Sequence, residues 1–223
     1  MKGLTSLKIE PKETATSCVI WMHGLGDSSE GFAPIVEALN LPEDHRIRFV
    51  FPDAPIRPVT INDFAEMRAW YDIKGFDLEQ RTDMNGIYES EALIRDLIYQ
   101  EIESGVEPEH IILVGFSQGG VLALQTGLRF EHSLAGVLAL SCYLPLGREL
   151  PIDCHKNNKS TKIALHHGNQ DPIVPFESGK IAYDILKGSN YDVTWSVYSM
   201  AHSVIPEQIQ DMRTWLLERL NTR

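Results

Sequence analysis

Residues 112 to 120 read ILVGFSQGG: apolar side chains run straight into a serine fenced by glycine. A serine hydroxyl is a weak nucleophile until a base takes its proton; once activated, it carries acyl transfer through a covalent acyl-enzyme. The core of the stretch, Gly115-Phe116-Ser117-Gln118-Gly119, is G-x-S-x-G directly after a strand-like run and directly before the helical GGVLALQTGLRF. That placement belongs to a tight strand-to-helix turn that lifts the serine Oγ clear of a sheet. Neighbours two positions away must be small, and Gly115 and Gly119 supply that, while Gly120 lets the helix pack closely. The positive end of the helix then lies beneath the hydroxyl. The plainer reading makes Ser117 an N-cap at a glycine-softened turn. The strand-turn-helix placement favours chemistry.

Such a serine requires a histidine base and an acid to orient it, and in this kind of sheet the chain order is serine, acid, histidine. Asp171 lies in HHGNQDPIVP, a polar turn just after an apolar run, where parallel sheets gather functional loops. Asp153 and Asp192 are its rivals, the first in a long polar loop and the second at the start of a strand. His202 lies in SMAHSVIP, between a strand and the last amphipathic stretch. A histidine base implies activity that rises with pH as the imidazole loses its proton. The tetrahedral intermediate also needs two N–H donors for its oxyanion. Gln118, next to the nucleophile, provides the first; Leu25, in the glycine-rich WMHGLGD loop of residues 21 to 27, provides the second, with His23 bracing the turn. That loop lacks the Lys and Ser/Thr of a phosphate loop and the third glycine of a dinucleotide fingerprint, so no cofactor is expected. His166 and His167 are adjacent on a strand and face opposite ways, so no metal site is expected either.

These residues need a scaffold. Segments 17 to 22, 47 to 51, 110 to 116, 134 to 141, 162 to 167 and 192 to 198 read as strands, most of them too continuously apolar to have a wet face. Amphipathic helices are predicted at about 86 to 104, with Ile87, Ile94, Leu97, Ile98 and Ile102 inward, and at 205 to 220, with Ile205, Ile209, Met212, Leu216 and Leu220 inward. The alternation predicts an α/β fold in one domain, with a mostly parallel central sheet and helices on both faces. Its 223 residues, 43% of them hydrophobic, suffice for one core. A formal net charge of −11 argues against nucleic acid as a partner. The N-terminal residues lack a signal-peptide pattern, no run is apolar enough to span a bilayer, and Cys18, Cys142 and Cys154 are expected as reduced thiols in a cytoplasmic protein.

Six stretches, HGLGD, RAWYDI, GFSQGG, LSCYLP, HGNQDPIVP and MAHSV, resemble in order and over nearly the whole chain the carboxylesterase and acyl-protein thioesterase family of α/β hydrolases. The resemblance implies the α/β-hydrolase fold, Ser117, Asp171 and His202 as catalytic triad, and the Leu25 and Gln118 amides as oxyanion hole. It implies hydrolysis of a small-molecule acyl ester or thioester, or of a lipidated protein; Cys142, where many members of the family have glycine, departs from the pattern and is expected to narrow the acyl pocket. A lysophospholipase with the same triad is the alternative, and a non-catalytic binding module on a hydrolase fold is the alternative of a different class. A binder has no need of all three triad residues.

An enzyme for acyl chains must bury a hydrocarbon tail, and a permanently open apolar groove is sticky. The polar, glycine-broken segment 71 to 86 is therefore expected to act as a lid or substrate-binding loop, hinged at Gly75 and Gly86, that meets a membrane surface peripherally. Trp70, Ile73, Phe76, Leu78, Cys142, Leu144 and Val174 make up the expected substrate-binding set.

Overall fold

The computed structural model describes residues 4–75 and 83–220. Its centre is a seven-stranded sheet of β1 (Ser6–Ile9), β2 (Ser17–Met22), β3 (Ile47–Pro52), β6 (Ile111–Phe116), β7 (Gly136–Leu140), β8 (Lys162–Gly168) and β9 (Asp192–Tyr198). The spatial order is β1-β3-β2-β6-β7-β8-β9, and every pairing is parallel except that of the edge strand β1 with β3. The six strands read from the sequence are therefore the parallel ones; β2, β3, β6, β7 and β8 are buried almost throughout because both sheet faces are covered, whereas the edge strand β9 mixes buried and exposed positions.

Alternation along each strand divides the core in two. Cys18, Ile20, Met22, Ile111, Leu113, Val137 and Ala139 face one layer, which holds residues of α3 (Met84–Glu103), α4 (Gln118–Arg129) and α5 (Phe176–Gly188). Val19, Trp21, Ile112, Val114, Leu138 and Leu140 face the other, which holds Met212, Leu216 and Leu220 of α6 (Pro206–Leu220). Phe32 and Ile35, from two single-turn helices, α1 (Ser29–Phe32) and α2 (Ile35–Ala38), pack against that second layer. No helix among the described residues is long and apolar enough to cross a membrane.

Two elements escape the apolar pattern. β1 is short and partly exposed, and β4 (Ile56–Val59) pairs antiparallel with β5 (Ala65–Arg68) in a separate hairpin whose residues are mostly polar or exposed. The segment predicted as a lid divides differently from the expectation. Ile73 is buried and its carbonyl accepts the Ile61 N–H at 3.0 Å, while the Asp72 carboxylate takes the Thr60 N–H at 2.7 Å and the Thr60 hydroxyl at 2.6 Å. Residues 71 to 73 are thus pinned to the hairpin. Gly86 is no hinge: it is buried in the first turn of α3, where a Cβ would meet Asp83, Arg57 and the Tyr71 Cβ at 2.6 to 3.1 Å. Phe76 and Leu78 lie outside the described residues.

His166 couples the sheet to α6. Its Nδ1 lies 3.3 Å from the Tyr198 hydroxyl, which donates onward to Asp211 Oδ2 at 2.8 Å. Burial pushes its imidazole down to about 4, against an opposing pull from Asp211. The unfolded histidine titrates near 6.5, so between these values the unfolded chain binds a proton that the native state refuses, and stability falls as pH falls. The loss approaches about 3 kcal/mol by pH 4 from this residue. Urea unfolding midpoints are expected to drop across that window, and His166→Asn is expected to flatten the drop. An unchanged slope in the variant would assign it to other groups, such as the buried His23 and His167.

Candidate active site

The serine turn is built by close backbone approach. Ser117 sits at φ 55° and ψ −116°, a conformation L-residues rarely adopt. It is held by its N–H on Leu140 O at 2.8 Å and by the Gly120 and Val121 N–H groups on its own carbonyl. A Cβ on Gly115 would lie 2.1 Å from Gly119 O, and one on Gly119 would lie 2.3 Å from Met22 O. These are backbone collisions that no rotamer change relieves, so both positions must be glycine for the strand, turn and helix to meet.

Asp171 lies in the turn after β8 and His202 in the loop after β9, so adjacent parallel strands deliver both to one edge of the sheet. The Asp171 side chain is fully buried. Its Oδ1 accepts the N–H groups of Ile173 and Val174, each at 2.9 Å, and its Oδ2 meets His202 Nδ1 at 2.7 Å. A carboxylate only accepts, so His202 Nδ1 donates and Nε2 is left as the basic nitrogen. Burial pushes the Asp171 carboxyl up, but the hydrogen bonds from His202, Val174 and Ile173 outweigh it and hold it below the usual carboxylate range. His167 closes the loop by donating from Nε2 to Val174 O at 2.9 Å. The rival acids lie elsewhere: Asp153 is exposed near Arg129, and Asp192 pairs with Lys162 at the beginning of its strand.

Ser117, His202, Leu25, Gln118, Ile73 and Val174 line one cavity of about 440 Å³. The N–H groups of Leu25 and Gln118 find no acceptor among the described residues, whereas Gly26 in the same loop, at φ +77°, donates to Arg68 O at 2.8 Å. Two free amides beside the serine are what an oxyanion requires. The Gln118 side chain is itself buried; its Oε1 accepts the Trp70 N–H at 2.8 Å and its Nε2 donates to Tyr71 O at 2.7 Å. One residue thus ties a candidate oxyanion amide to the cavity wall.

Three of the expected substrate-binding residues lie away from this cavity. Trp70 turns into the core, where its Nε1 donates to His23 O at 2.9 Å; it braces the glycine-rich loop. Cys142 packs behind Gly120, and burial pushes its thiol well up; Leu144 is fully buried in the core. The walls that sequence reasoning missed are Tyr71, Tyr143, Ile61, Pro172 and Ile173. Tyr71 and Ile73 both face the cavity while Trp70 turns away, the two-residue alternation of an extended chain. That periodicity was available in RAWYDI. The Tyr71 and Tyr143 hydroxyls meet at 3.0 Å, which satisfies two polar groups on the cavity wall. His23 is buried, donates from Nδ1 to Gly24 O at 2.6 Å and accepts the Ala54 N–H on Nε2 at 3.1 Å, so both ring nitrogens are occupied in bracing the loop.

Comparison with known proteins places this geometry among relatives. The family described as phospholipase/carboxylesterase matches residues 6–219. Acyl-protein thioesterase 1 of Gibberella zeae is 39% identical over 92% of this chain and 91% of its own length, and that of Yarrowia lipolytica is 35% identical over 99% of each. Among solved structures, Arabidopsis thaliana SOBER1 superposes with a TM-score of 0.86 at 31% identity, covering 92% of this chain and 99% of that one. Zea mays acyl-protein thioesterase 2 does so with a TM-score of 0.85 at 27% identity, covering 98% and 100%.

Proposed function

The chain belongs to the phospholipase/carboxylesterase family of α/β hydrolases, and we propose that it hydrolyses carboxylic esters and acyl thioesters, including those of lipidated proteins, through Ser117, His202 and Asp171. The observation that carries this reading is the 2.7 Å Asp171–His202 hydrogen bond beside a strained Ser117 on the wall of an apolar cavity.

His202 Nε2 takes the Ser117 proton as Oγ attacks the acyl carbon, and the buried Asp171 carboxylate stabilises the imidazolium that forms. The Leu25 and Gln118 amides receive the oxyanion. The imidazolium gives its proton to the leaving oxygen or sulfur, and an ester of Ser117 remains. Water, activated by the same imidazole, then cleaves it and restores the serine. A binding module needs neither the strained serine nor a histidine held by a buried carboxylate, so those features favour catalysis.

Ile61, Tyr71, Ile73, Tyr143 and Val174 hold the acyl chain. The hairpin leaves Phe64 66% exposed, and Ile173 on the cavity wall is 53% exposed. Apolar side chains presented this way support peripheral contact of a cytoplasmic enzyme with the lipid surface that holds its substrate.

Each methylene buried contributes about 0.8 kcal/mol, so kcat/KM for p-nitrophenyl esters is expected to rise about fourfold per added methylene until the cavity is full. An acyl thioester and a lysophospholipid of the best chain length, run beside the series, separate thioesterase from lysophospholipase. Rates independent of chain length would contradict the acyl assignment of the cavity.

A further inference from the structure

A second groove, of about 460 Å³, adjoins the acyl cavity and shares Asp27, Phe116 and His202 with it. Ser117 and Gln118 line only the first space, whereas Phe32, Ile35 and Val204 line only the second. The imidazole therefore stands between two chambers. In the tetrahedral intermediate two substituents lead away from the reacting carbon, the acyl chain and the leaving group. The acyl chain lies beside the oxyanion amides, in the first chamber. The leaving group must collect the proton on His202 Nε2, so it departs past the imidazole, where the second groove begins.

Resting on the acyl-thioester reading above, we infer that this groove is the leaving-group site and that it is fitted to a cysteine peptide carrying an apolar residue and a neighbouring lysine or arginine. The apolar side chain packs on Phe32, Ile35 and Val204. The cation meets Asp27, whose carboxylate accepts the Ser28 N–H at 2.8 Å and has no ion-pair partner among the described residues. Arg68, on the adjoining β5, is engaged by Asp53 and Ala54 O instead. Residues 27 to 38, which form this wall, carry Asp27, Glu30 and Glu37 and no lysine or arginine, so an acidic peptide is repelled. As the C–S bond breaks, its electron pair stays on sulfur, the His202 Nε2 proton joins it, the acyl group stays on Ser117 Oγ as an ester, and the peptide leaves as a free thiol.

The test compares kcat/KM for S-octanoyl thioesters of ethanethiol, thiocholine and two short peptides, Leu-Cys-Lys and Leu-Cys-Glu with blocked termini. The lysine peptide is expected to react about fivefold faster than the glutamate peptide, the effect of one partly exposed charge contact. Asp27→Asn is expected to bring that ratio close to one, and Ile35→Ser to lower the rate of both peptides relative to the ethanethiol ester. Fluorophosphonate labelling of each variant reports that the site is assembled. Equal rates on the two peptides in the wild type, or a ratio untouched by Asp27→Asn, would overturn the inference while turnover of the ethanethiol ester leaves the proposed function standing. A thiocholine ester faster than the lysine peptide would overturn the peptide in favour of a quaternary-ammonium leaving group. Absence of turnover on every thioester would overturn both readings.

Discussion

Replacing Ser117 by alanine is expected to lower kcat by on the order of 10⁶, the loss seen when the nucleophile of a serine hydrolase is removed while its oxyanion donors remain. The fold should survive, because the turn is held by backbone groups: the Ser117 N–H on Leu140 O, and Gly120 and Val121 on the Ser117 carbonyl. Alanine at φ 55° is strained much as serine is, so the urea midpoint is expected to move little. Binding of a non-hydrolysable acyl ligand should persist, since the apolar walls are untouched. Ester turnover near the wild-type rate in Ser117→Ala would mean that another group attacks the substrate.

Asp171→Asn is expected to lower kcat by on the order of 10⁴, by analogy with the same change in the serine protease template. The geometry gives the reason. Oδ1 is committed to the Ile173 and Val174 amides, so the asparagine places its oxygen there and turns its NH₂ toward His202 Nδ1. Two donors cannot face each other, and the imidazole responds by carrying its proton on Nε2, where the base must be free. The amide also removes the charge that stabilises the imidazolium. Asp171→Ala separates the two effects, since it loses the charge without presenting a donor. A loss below tenfold in Asp171→Asn would contradict its role as the acid, and the rivals Asp153 and Asp192 do not line the cavity and pair with Arg129 and Lys162.

How much of this was legible in the sequence follows from what kind of signal each part carries. Five of the six parallel strands are buried almost throughout, and such runs stand out in any reading; the edge strand β9 shows instead in its β-branched and aromatic residues. β1 and the β4–β5 hairpin do not, because they sit at an edge or on the surface, and β4 even contains Pro58. Gly115, Ser117 and Gly119 were legible because local backbone collisions dictate them. Asp171 and His202 were legible because strand ends bring them together. The acyl walls were less so: Trp70 stands just before the segment expected as a lid, yet its N–H and indole nitrogen bond to Gln118 Oε1 and His23 O and turn the ring into the core. Tyr143 and Cys142 are neighbours in LSCYLP, and only the packing of Gly120 against Cys142 decides which of them turns toward the cavity. That is a tertiary contact with no periodicity to announce it.

The central claim is that Ser117 Oγ carries the acyl group between the two half-reactions. The most direct test is to quench the enzyme during turnover of a p-nitrophenyl octanoate, digest it and locate the adduct by peptide-mapping mass spectrometry. An octanoyl mass on the peptide containing Ser117, absent from Ser117→Ala and accumulating when Asp171→Asn slows deacylation, is the predicted result. An adduct on any other residue, or rapid turnover with no acyl-enzyme trapped at Ser117, would contradict it.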